Sequence, residues 1–70
     1  MNSVEIKNFV NNLLTEKRKK KLSSIGTRVK RREQIEKYVV AEMARLKLRL
    51  SEDEFIKLVA HVEREVKYEA

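Results

Sequence analysis

The chain has 70 residues, with 17 Lys+Arg against 11 Asp+Glu, a formal net charge of +6, and 40% of its positions charged. A chain of this length forms one domain, residues 1–70, and its charge density leaves no run of roughly 18 apolar residues to cross a bilayer. It has no cysteine to build a disulfide framework or a thiolate metal site, and Glu5, Lys7 and several asparagines stand where a secretory leader needs an apolar run. A cytoplasmic location is expected, or a nuclear one in a eukaryotic host.

Proline is absent and the single glycine is Gly26, so little interrupts helix formation, and Leu, Lys, Glu and Arg dominate. The first predicted helix covers 3–21. Asn2 can cap it with Glu5 three residues on, and Ile6, Phe9, Val10, Leu13 and Leu14 follow the spacing of one buried face. The same stripe continues into Lys17, Lys20 and Lys21, so a core face becomes cationic within a turn.

A break is expected at Ser23–Thr27, where Gly26 can take a left-handed conformation and Thr27 can cap the next helix. The second predicted helix, 28–47, places Ile35, Val39, Met43 and Leu46 on one stripe flanked by Tyr38 and Val40. Traced backwards, that stripe meets Arg32 and Arg28. Glu42 also falls within it, one turn from Tyr38 and within reach of Arg45. It reads either as an interface residue that fixes register or, the favoured reading, as an edge carboxylate reaching water.

Ser51 and Glu54 form a capping box, and Leu50 can pack on Phe55 as a hydrophobic staple. Glu52, Asp53 and Glu54 suit the positive end of a helix dipole. The third predicted helix, 52–68, therefore begins at residue 52 and buries Phe55, Leu58, Val59, Val62 and Val66. Alternation of Leu46, Leu48 and Leu50 points to a short extended link before it. The expected fold is an all-α three-helix bundle that packs the apolar faces of 6–14, 35–50 and 55–66. So small a core is marginal on its own, which makes a homodimer a reasonable expectation.

The charge is concentrated. Residues 17–32 hold nine basic side chains and no acid, whereas 33–70 hold seven basic and nine acidic ones. If the first two predicted helices form an antiparallel hairpin, their basic ends, at Lys17 and Arg32, share one pole. Burying those cations unpaired would be prohibitive, so the pole must stay wet, splay open or bind an anion. Cations at the start of the second helix also oppose its dipole, and a bound phosphate would relieve that conflict.

The functional reading is therefore a sequence-tolerant contact with the phosphates of DNA or RNA. It assigns anion binding to Lys17, Arg18, Lys19, Lys20, Lys21, Arg28, Lys30, Arg31 and Arg32, with Ser23, Ser24 and Thr27 as extra donors. The plain alternative is a solvated, flexible basic segment that confers solubility. No aromatic residue lies within 17–32, so stacking on single-stranded bases has no support there.

Other motifs carry less. A helix-turn-helix would send Glu52-Asp53-Glu54 toward phosphate, which repels it. The clusters at 17–21 and 30–32 match a two-part nuclear import signal only weakly. Leu22, Ile25 and Val29 are too few and too small for membrane insertion beside the charges. His61 should project to the polar side with Lys57, Arg64 and Tyr68, and lacks the convergent ligands a metal needs. Ser3, Ser23, Ser24 and Ser51 lack any nucleophile setting. No catalytic residues, metal site or cofactor is expected, and no integral membrane association.

From about Arg32 to Tyr68, the run Glu33…Lys37-Tyr38-Val39…Leu46…Leu48…Leu50-Ser51-Glu52…Leu58-Val59…Val62 resembles the soluble C-terminal segment of the phage LL-H-type holins. The likeness covers roughly half the chain. The membrane span of that family is missing, so the resemblance does not imply pore formation; it implies a small protein of phage or mobile-element type. A second functional class stays open, a regulatory protein–protein interaction module (adaptor or inhibitor) that uses its helical faces or sets its basic pole against an acidic protein partner.

Overall fold

The computed structural model describes residues 2–66. It is all-helical there, with four helices rather than three: α1 (Ser3–Leu13), α2 (Glu16–Ser24), α3 (Arg28–Leu46) and α4 (Glu52–Glu65). The extra helix arises because the expected helix 3–21 breaks at Leu14-Thr15. Leu14 sits at φ −84°, ψ 77°, and the Thr15 N–H donates to Leu13 O at 3.0 Å, the geometry of an inverse γ-turn. Thr15 then caps α2, its hydroxyl oxygen accepting from the Arg18 N–H at 3.2 Å.

The break resolves a conflict within the first stripe. A continuous helix would carry Lys17, Lys20 and Lys21 onto the core along the line of Ile6, Phe9, Val10, Leu13 and Leu14. Turning the chain at Thr15 leaves those lysines exposed and instead buries Leu22, which is fully inaccessible to solvent. The basic segment 17–32 is thus mostly helical, split between α2 and the start of α3.

The remaining junctions obey their caps. Asn2 Oδ1 accepts from the Glu5 N–H at 2.9 Å, and Thr27 Oγ1 from the Lys30 N–H at 3.4 Å. Ser51 and Glu54 form the expected capping box, and α4 starts at Glu52. The left-handed residue is not Gly26, which has no positive φ, but Lys47 at φ 54°, ψ 39°. The Lys47 N–H donates to Ala44 O and the Leu48 N–H to Met43 O, closing α3 as a Schellman motif. The predicted end of the last helix, 66–68, is only partly observed. Val66 lies just beyond α4, and residues 67 and 68 fall outside the described residues.

One apolar cluster joins all four helices: Phe9, Val10 and Leu13 of α1 with Leu14 beside them, Leu22 of α2, Ile35 and Val39 of α3, and Leu58, Val59 and Val62 of α4 with Val66 after it. Leu50 and Phe55 pack half-buried against it. The expected face 35–50 is only partly core. Met43 is half-buried, and Leu46 at the end of α3 and Leu48 beyond it are exposed. Both α1 and α4 pack against α3 and against each other, whereas α2 packs against α3 alone among the described helices. No described helix is long and apolar enough to cross a membrane.

Candidate nucleic-acid interface

Glu42 determines where the basic segment lies. Its side chain is only 6% exposed, so the expectation of an edge carboxylate reaching water is overturned. A buried carboxylate needs partners, and two guanidiniums supply them. Arg45 donates from Nη2 to Glu42 Oε2 at 2.8 Å and from Nε at 3.2 Å, and Arg18 donates from Nη1 to Oε1 at 3.3 Å. Hydrogen bonds from Arg45 act most strongly to hold the Glu42 carboxyl below its ordinary value; burial opposes them, and Arg18 adds to the lowering.

Arg18 has further engagements. It donates to Leu13 O at 3.0 Å, giving that carbonyl at the end of α1 a second donor beside the Thr15 N–H, and its guanidinium lies 4.8 Å from the centroid of the Tyr38 ring. One side chain therefore joins the α1–α2 turn to the second half of α3. Arg18 stands in the scaffold rather than in the exposed row of cations.

This contact corrects the shared-pole expectation. The start of α2 lies beside Tyr38 and Glu42, and Glu42 is ten positions from Arg32, about 15 Å along α3. Lys17 and Arg32 therefore do not meet at one tip. α2 instead runs back antiparallel along α3, spreading the positive charge along its length and around the turn into Arg28.

Lys17, Lys20 and Lys21 are exposed and, at i, i+3 and i+4, form one face of α2. Lys19 lies 3.9 Å from Glu16, an exposed pair worth little. Lys30 is exposed, Arg31 half-buried, Arg32 is 3.6 Å from Glu36, and Arg28 is 4.0 Å from Glu63. The first turn of α3 contains no acid, unlike those of α2 and α4, so the dipole conflict persists there.

Two of the proposed polar donors are already committed. The Ser23 hydroxyl donates to Lys19 O at 2.9 Å and the Ser24 hydroxyl to Lys21 O at 2.7 Å. Thr27 serves as the α3 cap.

His61 departs from its expected position. It is half-buried and faces α1, lining a cleft of about 320 Å³ with Lys7, Val10 and Glu65. Among the described residues no group of three or more His, Cys, Asp or Glu gathers as a metal-ligand set.

The sequence reading missed the Thr15 cap and the Arg18–Glu42 contact. Thr15 followed by Glu16 was a usable local signal, since a capping hydroxyl and an acid at the first helical position favour a new start. The Arg18–Glu42 contact spans 24 positions and left no local trace. Comparison with family models, curated proteins and solved structures gives no match for this chain.

Proposed function

We propose that this is a small non-enzymatic nucleic-acid-binding or regulatory protein that contacts phosphates through the 17–32 segment. The observation that carries the reading is the exposed lysine face of α2, Lys17, Lys20 and Lys21, continuing around a short turn into Arg28 and Lys30. Exposed lysines offer point charges to a phosphate backbone without reading base edges, which suits sequence-tolerant binding. With Arg18 in the scaffold, the contact rests on the remaining cations. The holin likeness, from about Arg32 to Tyr68, contributes only the phage or mobile-element setting; a cytoplasmic location belongs to the same proposal.

The test is a salt titration of binding to duplex DNA and to structured RNA. On duplex DNA, log affinity should fall by about 0.9 per log salt for each phosphate neutralised. Replacing Lys17, Lys20 and Lys21 by Gln should flatten that slope by about two to three of these steps, with helix content by circular dichroism unchanged. Binding that keeps its slope in the triple variant refutes the reading.

A protein-interaction role is the second reading. Val40, 54% exposed, and half-buried Phe55 line one cleft between α3 and α4, and Ile56 is 47% exposed on α4, which gives these helices apolar surface that a partner or a second copy could cover. A stoichiometric protein retained from nuclease-treated lysate, with no salt-dependent nucleic-acid binding, would favour it over the first.

A further inference from the structure

With α2 and α4 packed against it, α3 keeps one exposed strip along its outer side. Glu33, Lys37, Val40, Ala44 and the capping residue Lys47 are all exposed, and their steps of four, three, four and three residues are those of a heptad seam. The strip lies away from the core side of α3, which Ile35, Val39 and Glu42 define. Tyr38, beside the Arg18 guanidinium, marks its α2 flank. Glu36, which lines a cleft with Phe55, marks its α4 flank. That cleft, about 440 Å³, is also lined by Glu33, Lys37 and Val40, so the middle of the strip is recessed and partly apolar.

The order of charges along the strip selects the occupant. Glu33 and Lys47 stand seven positions to either side of Val40, about 10 Å along the helix, and carry opposite signs. Neither has an ion pair among the described residues. The other acids of α3 are answered within the chain, Glu36 by Arg32 and Glu42 by Arg18 and Arg45. A two-fold axis at Val40 sets a second α3 antiparallel to the first and brings each Glu33 opposite the partner's Lys47. Lys37 then lies over small Ala44 and half-buried Met43, where its stem covers apolar surface while the ammonium reaches water. A parallel pair would set Glu33 against Glu33 and Lys47 against Lys47, and a foreign helix with charges of one sign would match only one end.

We infer that the outer strip of α3 is a self-association surface, on which a second copy of this chain packs its own α3 antiparallel about Val40. The inference rests on the protein-interaction reading for the use of this surface and commits it to one occupant; it does not depend on nucleic-acid binding. A chain with so small a single core gains stability from such a contact. The same two-fold carries both α2 helices to one flank of the pair and both α4 helices to the other, so two lysine faces share a side.

Sedimentation equilibrium of the full chain from about 10 μM to about 1 mM is the test, and a reversible monomer–dimer equilibrium is expected. Val40→Asp should weaken the dimer by about a hundredfold. Glu33→Lys and Lys47→Glu should each weaken it about tenfold, because each sets two pairs of like charges across the two-fold. The double variant carrying both changes should return to the parent affinity, which only the antiparallel register explains. All three positions are exposed, and circular dichroism should show unchanged helix content; the charge-swap arm stands even if Val40→Asp fails to fold.

A chain that sediments as a monomer throughout overturns the inference, as does a dimer indifferent to Val40→Asp. A double variant no tighter than either single variant overturns the register. The lysate capture separates this failure from that of the broader reading. A monomeric chain that retains a foreign protein keeps the protein-interaction reading and sinks this inference alone, whereas a dimer sensitive to these substitutions supports it whether or not a foreign protein is retained.

Discussion

α2 and α4 both lie against α3, and they are held there by different means. α4 contributes Leu58, Val59 and Val62, with Val66 just beyond, and starts at a full capping box. α2 buries only Leu22 and relies on a polar clamp, with Arg18 hydrogen-bonded to Glu42 and Leu13 O and set against Tyr38. A helix with four lysines cannot gain much from apolar area, so directional contacts at one end and one leucine toward the other hold it. A strongly charged face can therefore be mounted on a small core by burying one carboxylate, which its two guanidiniums compensate.

The largest expected effect comes from the apolar anchor. Leu22→Ala should lose about 2–5 kcal/mol, as should Leu58→Ala on α4. The two losses should differ in how far they spread. With Leu22→Ala, hydrogen exchange should show α2 amides losing protection first while α4 stays protected, because α2 packs on one helix only. Leu58→Ala should lower protection throughout. Uniform loss in both variants would erase the distinction between the two helices.

The clamp comes next. Glu42→Gln should cost about 1–2 kcal/mol, less than a fully buried pair, because Arg18 and Arg45 remain 27% and 58% exposed. The effect depends on pH. Glu42 has a lowered folded-state pKa, so its contribution is fully present above the ordinary glutamate value of about 4.3 and fades as pH falls toward its depressed value. Urea unfolding between about pH 7 and pH 3 should show the difference between parent and Glu42→Gln shrinking across that acid range. A difference independent of pH would mean that the carboxylate's charge is not what holds α2.

The smallest effects concern the turns beside the two helices. Gly26 has no positive φ, and a Cβ added there meets nothing within 4 Å, so Gly26→Ala should stabilise by about 0.4–1 kcal/mol. The left-handed conformation of Lys47 costs about 1–2 kcal/mol, and Lys47→Gly should recover about half of that after the added chain entropy of glycine. Thermal unfolding would register both as small rises in Tm. A fall for Gly26→Ala would contradict the extended geometry of the α2–α3 turn.

Much of the fold was legible in the chain because its signals are local. Asn2, Thr27 and Ser51 each cap a backbone N–H three residues on, and stripes spaced i, i+3, i+4 mark the buried faces of α1 and α4. The reading failed where two local signals competed. At Thr15 the helix-favouring, lysine-rich run pointed to one helix over 3–21, and the capping threonine that starts α2 went unread, although continuation would have brought Lys17, Lys20 and Lys21 onto the core. At Gly26 the glycine suggested a left-handed residue, whereas the end of α3 required one at Lys47.

Local sequence settled the helical class, the start of each capped helix except α2, and the concentration of nine cations between residues 17 and 32. These depend on neighbours within about one helical turn, where chain connectivity brings side chains together whatever the rest of the molecule does. Which of those cations stay available was left to the packing of the helices. Packing set Arg18 on Glu42, 24 positions away, and on Tyr38, and it brought Arg64 to a cleft that it shares with Arg28 and Arg31. Those encounters depend on the direction α2 takes after the turn at Thr15 and on how α4 lies against α3, and no local spacing encodes either.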